Sequence, residues 1–135
     1  IQMRVRRAIL TRLKADLALS GVQIDPQGEP TWPFIMLESP VTRRLRMACV
    51  NGGIVSFDIH AFARTREEGG AVVETARDYA GRIGGLIEAV LADNRIELED
   101  GSIARIAMSD MRLMKDGEPD AYHYFAQVNT RVLAA

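Results

Sequence analysis

The sequence predicts an α+β domain of two layers: a mostly antiparallel sheet with two main helices on one of its faces. Three observations carry this prediction. Two separate segments repeat apolar residues at helical spacing, one at the start of the chain and one in its middle. Other segments alternate apolar and polar residues with the period of two that belongs to strands. The elements also fall in the order helix, strand, strand, helix, strands, which argues for an antiparallel sheet rather than alternating strand–helix units. At 135 residues the chain is read as one domain over 1–135, with no internal repeat, low-complexity tract or linker.

The first helix is predicted from about Met3 to Leu19, with Val5, Ile9, Leu13 and Leu17 spaced four apart and Ser20-Gly21 as its stop. "DPQGEPTWP" follows, with Pro26, Pro30 and Pro33 giving a stiff surface connection. It leads into a first strand, "FIMLES", Phe34 to Ser39. A loop is expected over Val41 to Gly53, closing on the turn signal "NGG". The second strand, "IVSFDIHAFA", sets Val55, Phe57, Ile59 and Ala61 on one face and Ser56, Asp58, His60 and Phe62 on the other. A long helix is expected from Glu68 or Ala71 to Ala92, interrupted by Gly81, Gly84 and Gly85, whose plain meaning is close packing on the sheet. "IELEDGSIARIAM" reads as a strand, an Asp100-Gly101 turn and a returning strand that runs to about Lys115. After a loop at 116–120, the closing strand puts Tyr122, Tyr124, Ala126, Val128, Thr130 and Val132 on one face and His123, Phe125, Gln127, Asn129 and Arg131 on the other.

Composition excludes several classes of function. Lysine plus arginine number 17 against 18 aspartates and glutamates, a formal charge of -1, unlike the basic balance of a dedicated nucleic-acid binder. One cysteine, Cys49, rules out an internal disulfide and a cysteine-rich zinc site, and it has no evident activating neighbour beyond the nearby arginines. No apolar run approaches the roughly 18 to 20 residues that span a bilayer. The opening "IQMRVRRAIL" lacks the apolar run and cleavage site of a signal peptide, and the expected start is upstream of Ile1 or at Met3. Charge is uneven along the chain: residues 1–15 carry Arg4, Arg6, Arg7, Arg12 and Lys14 with no acid, and Arg43, Arg44 and Arg46 form a second basic cluster. The acids gather later, in "EEGG" and "IELEDGS".

"SFDIH" brings together the residue types of a hydrolytic triad, but strand spacing keeps them apart. Side chains at i and i+2 on a strand stand about 7 Å apart, whereas a triad needs serine within about 3 Å of histidine. Ser56, Asp58 and His60 are therefore the polar face of a strand, with Asp58 and His60 as a local ion pair. His60 and His123 could share a metal if their strands were neighbours, but no third ligand has a recognisable spacing, so neither metal nor cofactor is expected. No glycine-rich phosphate loop is present, because "NGGIV" and "EEGGAV" lack the lysine and spacing such a loop needs. Trp32 is expected to seal the edge of the core. The reading is accordingly of a protein that is not an enzyme; the alternative is a small enzyme or ligand-binding domain working from the polar sheet face.

Over nearly its whole length the chain resembles the tail terminator, or tail-completion, proteins of long-tailed bacteriophages and gene transfer agents. The resemblance rests on the order and spacing of "AILTRLKADLAL", "PTWPFIMLES", "VSFDIHAFARTREEGGAVVETARDYAGRIGGLIEAVL" and "MSDMRLMKDGEPDAYHYFAQVNTRV". "AFARTR" after the second strand and the glycine-rich long helix depart from the usual pattern. The resemblance implies a ring, typically a hexamer, that caps the tail tube and joins it to the head-side connector. DNA would pass through its centre without specific binding. It also implies a place in the neck and tail of the particle, assembled in the bacterial cytoplasm with no membrane involved. A head-side stopper or adaptor is the alternative assembly role. A closed ring needs two different patches that meet between copies. Arg4, Arg7 and Arg12 facing Glu97, Glu99 and Asp100 of the next copy are the expected inter-subunit contact. Arg43, Arg44 and Arg46 are the expected loop for docking to tube or connector.

Overall fold

A computed structural model describes residues 2–47, 50–118 and 120–133, with the side chains at 44–47, 50 and 51 outside that description. Helix α1 (Gln2–Ala15) buries Val5, Ile9 and Leu13, the stripe that four-residue spacing dictates. It ends earlier than its apolar pattern suggests. Asp16 takes extended geometry, and its carboxylate accepts from the Ala18 amide at 2.9 Å, capping a 3₁₀ turn at Leu17–Leu19. That turn changes the register. Leu17 is 88% exposed, and Leu19 enters the core in its place.

The sheet is built around two long strands, β4 (Val50–Arg64) and β9 (Ala121–Leu133), paired antiparallel from Gly52↔Leu133 to Arg64↔Ala121. On the other side of β4, β2 (Phe34–Leu37) pairs with its second half and β3 (Val41–Met47) with its first half. Short β1 (Gln23–Ile24) adds to β2 in parallel. Beyond β9 come β8 (Ile103–Lys115) and then β7 (Arg95–Glu97), both antiparallel. The expected loop at 41–53 is therefore a strand and the start of the next one. "NGG" is not its turn: Gly52 lies within β4, where a Cβ would collide with the Val132 carbonyl of β9. At Gly52 the glycine answers a close backbone approach rather than a reversal of direction. Cys49 lies outside the described residues.

A second correction concerns residues 66–74. The helix expected from Glu68 or Ala71 does not begin there; the chain forms a hairpin, β5 (Arg66–Glu68) and β6 (Ala71–Glu74), turned by Gly69 at φ +59 and Gly70 at φ +79. Two consecutive positive φ values are the demand of a tight hairpin turn, which a Gly-Gly pair meets without strain. Helix α2 (Ala76–Leu91) starts only after Thr75, whose hydroxyl accepts from the Asp78 amide. It buries Ala80, Ile83, Gly84, Ile87 and Leu91 against β4, β8 and β9. The buried side chains of both helices and of the sheet join one apolar cluster, so the α+β, mostly antiparallel arrangement with the helices on one face is as expected. Each fully buried Ile or Leu there adds roughly 1.5–3 kcal/mol relative to exposure.

The glycines of α2 do not share one role. A Cβ on Gly84 would stand 2.7 Å from Cγ of Tyr124 and nearer still to the ring edge, so the helix lies directly on that ring. A Cβ on Gly85 would meet nothing within 4 Å. Gly84→Ala is expected to destabilise the protein by about 1–3 kcal/mol through overpacking. Gly85→Ala should stabilise it by roughly 1 kcal/mol through helix propensity. Urea denaturation of the two variants beside the parent protein reads both signs, and equal effects would refute the assignment.

Candidate functional site: the uncovered sheet face and its edges

The alternation that buries Val55, Phe57, Ile59 and Ala61 under the helices points Ser56, Asp58, His60 and Phe62 to the opposite face of β4. The ladder sets these beside Asn129, Gln127, Phe125 and His123 of β9. The Ser56 hydroxyl donates to Asn129 Oδ1 at 2.7 Å and so is turned away from His60. His60 is held on both sides. Its Nδ1 stands 2.6 Å from His123 Nε2, and its Nε2 stands 2.7 Å from a carboxylate oxygen of Glu38, just past the end of β2. His60 therefore faces Glu38, not the Asp58 expected from sequence. Serine and histidine do not meet, and no nucleophile is set against a base here.

Aromatic rings fill the rest of this face. Phe34 stacks on Phe62 at 4.8 Å between centroids, Phe62 on His123 at 4.3 Å, and His60 lies 5.4 Å from Phe125. Trp32 meets Phe34 and Phe62 edge-on, with the Arg64 guanidinium 4.2 Å above its ring. Trp32 thus belongs to the outer aromatic layer rather than to the helix-covered core. Burial is the largest influence on the ionisable groups. It holds the His123 imidazole below its ordinary pKa, with the neighbouring charge of His60 adding to the effect and Asp116 opposing it. Burial also raises Asp58, reinforced by Glu38 and opposed by His60. Glu38, Asp58 and His60 each offer a ligand atom within 4.8 Å of the others, a group of metal-binding residue types that sequence spacing did not reveal. Only the register of β2 against β4 brings Glu38 there.

The charged residues singled out from sequence fall in two places. Arg4 pairs with Asp100 at 2.9 Å and Arg7 with Glu99 at 3.4 Å, while Arg12 donates to the Arg95 carbonyl. The start of α1 is thereby tied to the β7–β8 turn of the same chain. Arginines and acids expected on opposite sides of a contact between copies share one edge, where three of each sign cancel. Glu97 is exposed on β7 beside them. Asp100 is held below its ordinary pKa chiefly by hydrogen bonds from Ser102, with Arg4 a smaller influence. Arg43, Arg44 and Arg46 occupy β3 rather than a loop, and Arg43 is exposed. Thr42 Oγ1 donates to the Gln2 side chain, fixing that hairpin to the start of α1.

The β5–β6 hairpin forms an arm with Glu67, Glu68, Val72 and Val73 exposed. Its root is Glu74, which accepts from Nε and Nη2 of Arg82 on α2, both at 2.9 Å. This hydrogen-bonded pair holds the Glu74 carboxyl below the usual range. Its stabilising effect is therefore present above the ordinary carboxylate value of 4.5 and is lost as pH falls through the lowered one. Glu74→Gln should lower stability at neutral pH while flattening its fall between pH 5 and 3, measured by urea midpoints across that range. An acid limb as steep as the parent's would show that Glu74 carries no such linkage.

The sequence profile of the family described as "Tail completion protein gp17" matches residues 7–133. Among solved structures, a chain described as "Virion of native gene transfer agent (GTA) particle" is similar in fold, with a TM-score of 0.70 and 12% identity. The match covers 98% of this chain and 96% of that one. No curated protein matches at a significant level.

Proposed function

The chain belongs to the tail completion protein family, a family of structural tail proteins, and from that premise we propose that its copies close into a ring, six in number, at the end of a tail tube. The ring joins the tube to the head-side connector, DNA passes through its centre without specific binding, and no reaction is catalysed. The observation that carries this reading is the family match over 127 of the 135 residues, 7–133. The fold shared over nearly the full length of a gene transfer agent particle chain is consistent with it. On this reading the protein works in the neck and tail of a particle assembled in the bacterial cytoplasm.

Two surfaces are proposed for the contacts. The edge carrying Arg4, Arg7, Arg12, Glu97, Glu99 and Asp100 meets the next copy. Its pairs are exposed, so they can exchange partners at little cost. Because both signs sit on one edge, the match between copies is one of shape and of alternating charge rather than of a basic patch on an acidic one. Arg43, Arg44 and Arg46 on the β3–β4 hairpin meet the tube or connector. Loss of three surface-type attractions of about 0.5 kcal/mol each would correspond to about tenfold in affinity.

Reversing these three charges (Arg43→Glu, Arg44→Glu and Arg46→Glu together) keeps the strand backbone, which deletion would remove. The triple variant should co-sediment with polymerised tail tube at least about tenfold less than the parent, with its own oligomeric state unchanged. Undiminished capture would remove the hairpin from the docking surface. Failure of the parent protein itself to co-sediment with tube would count against tail completion.

A further inference from the structure

The group formed by Glu38, Asp58 and His60 lies outside the two contact surfaces proposed above. Glu38 stands opposite Asp58 across the β2–β4 ladder, and its amide donates to the Asp58 carbonyl at 3.0 Å. Like charges facing each other on neighbouring strands destabilise a sheet. Among the described residues, neither carboxylate has a lysine or arginine partner; the one ion-pair contact to either is from His60 to Glu38. His60 stands two residues along β4 on the same face as Asp58 and completes the group. The ligand atoms of all three lie within 4.8 Å of one another.

We propose that Glu38, Asp58 and His60 form a binding site for a divalent transition-metal ion of borderline softness, with zinc as the best match. One imidazole and two carboxylates suit such an ion better than magnesium or calcium, which favour all-oxygen ligand sets. Ligand atoms held at about 2.0–2.1 Å around a tetrahedral zinc lie roughly 3.3 Å apart. Closing to that spacing calls for side-chain rotation, for which Glu38, with its side chain 55% exposed, has room; Asp58 and His60 sit on a strand paired on both sides.

The surroundings of His60 support the assignment. Metal-binding histidines have their second ring nitrogen held by a neighbour, which fixes the ring plane. Here His123 Nε2 holds His60 Nδ1 at 2.6 Å, and Nε2 of His60 is aimed at the Glu38 carboxylate. Three protein ligands leave a fourth position for water or for a donor from outside the chain. The site goes beyond the tail-completion reading and does not rest on it.

The test uses untagged full-length protein titrated with Co(II), whose visible absorption reports its ligand geometry, followed by displacement with Zn(II). The expected result is one Co(II) per chain, displaced by Zn(II) and unaffected by excess Mg(II). Glu38→Gln and His60→Ala should each weaken binding by at least about tenfold, with unchanged far-UV circular dichroism. Should His60→Ala fail to fold, the exposed and nearly isosteric Glu38→Gln still decides. No Co(II) spectrum at millimolar metal, or an affinity that Glu38→Gln leaves unmoved, would overturn the site. Because metal binding is the readout, failure of ring assembly has no bearing on it.

Discussion

The thirteen-residue ladder between β4 and β9 is the constraint from which the rest of the structure follows. Its register commits every second residue of both strands to the helix-covered side, where Val55, Ile59, Ala126 and Val128 are buried completely. The same register commits His60, Phe62, His123 and Phe125 to the other side, where the histidines meet and the rings stack. A slip of one residue would exchange these two sets, putting histidines beneath the helices and valines in water. Core and candidate site are therefore specified by the same set of backbone hydrogen bonds.

The helix layer locks this arrangement through one close contact. Gly84 lets α2 rest on the Tyr124 ring, whose hydroxyl reaches Glu88 of the same helix at 3.1 Å. Burial and the adjacent Glu88 push the Tyr124 hydroxyl well above its ordinary pKa, so it keeps its proton and donates to Glu88 at neutral pH. Ring packing and a hydrogen bond from the same residue fix both the height of α2 over the sheet and its rotation.

Much of this was legible in the residues. Period-two alternation in 54–63 and 121–133 gave the two central strands and their faces, because a half-buried strand must alternate. What stayed hidden depended on chain reversals or on partners distant in sequence. The pattern of Ala71 and Val72 fits a helix face and a hairpin alike, and only the positive φ at Gly69 and Gly70 decides between them. "NGG" carries a turn signal, yet Gly52 and Gly53 pair with β9 inside a strand, and at Gly52 the Val132 carbonyl leaves no room for a Cβ. Leu17 satisfied the helical spacing but lost its place when Asp16 capped a tighter turn. Glu38 joined His60 and Asp58 through cross-strand register, which no local spacing reports. The arginines of α1 were visible as a cluster, but their pairing with the β7–β8 turn required the fold.

A protein that completes a tail needs no catalytic cleft, but it needs surfaces that fit only in the assembled particle. The aromatic sheet face, the exposed start of β3 and the β5–β6 arm lie outside the helix-covered core. The most direct test of the tail-completion account is electron microscopy of polymerised tail tubes mixed with the purified protein. The account predicts a ring of extra density, six-fold when averaged end-on, at one end of each tube and nowhere along its length. Tubes bare at both ends, with the protein left free at saturating concentration, would contradict it.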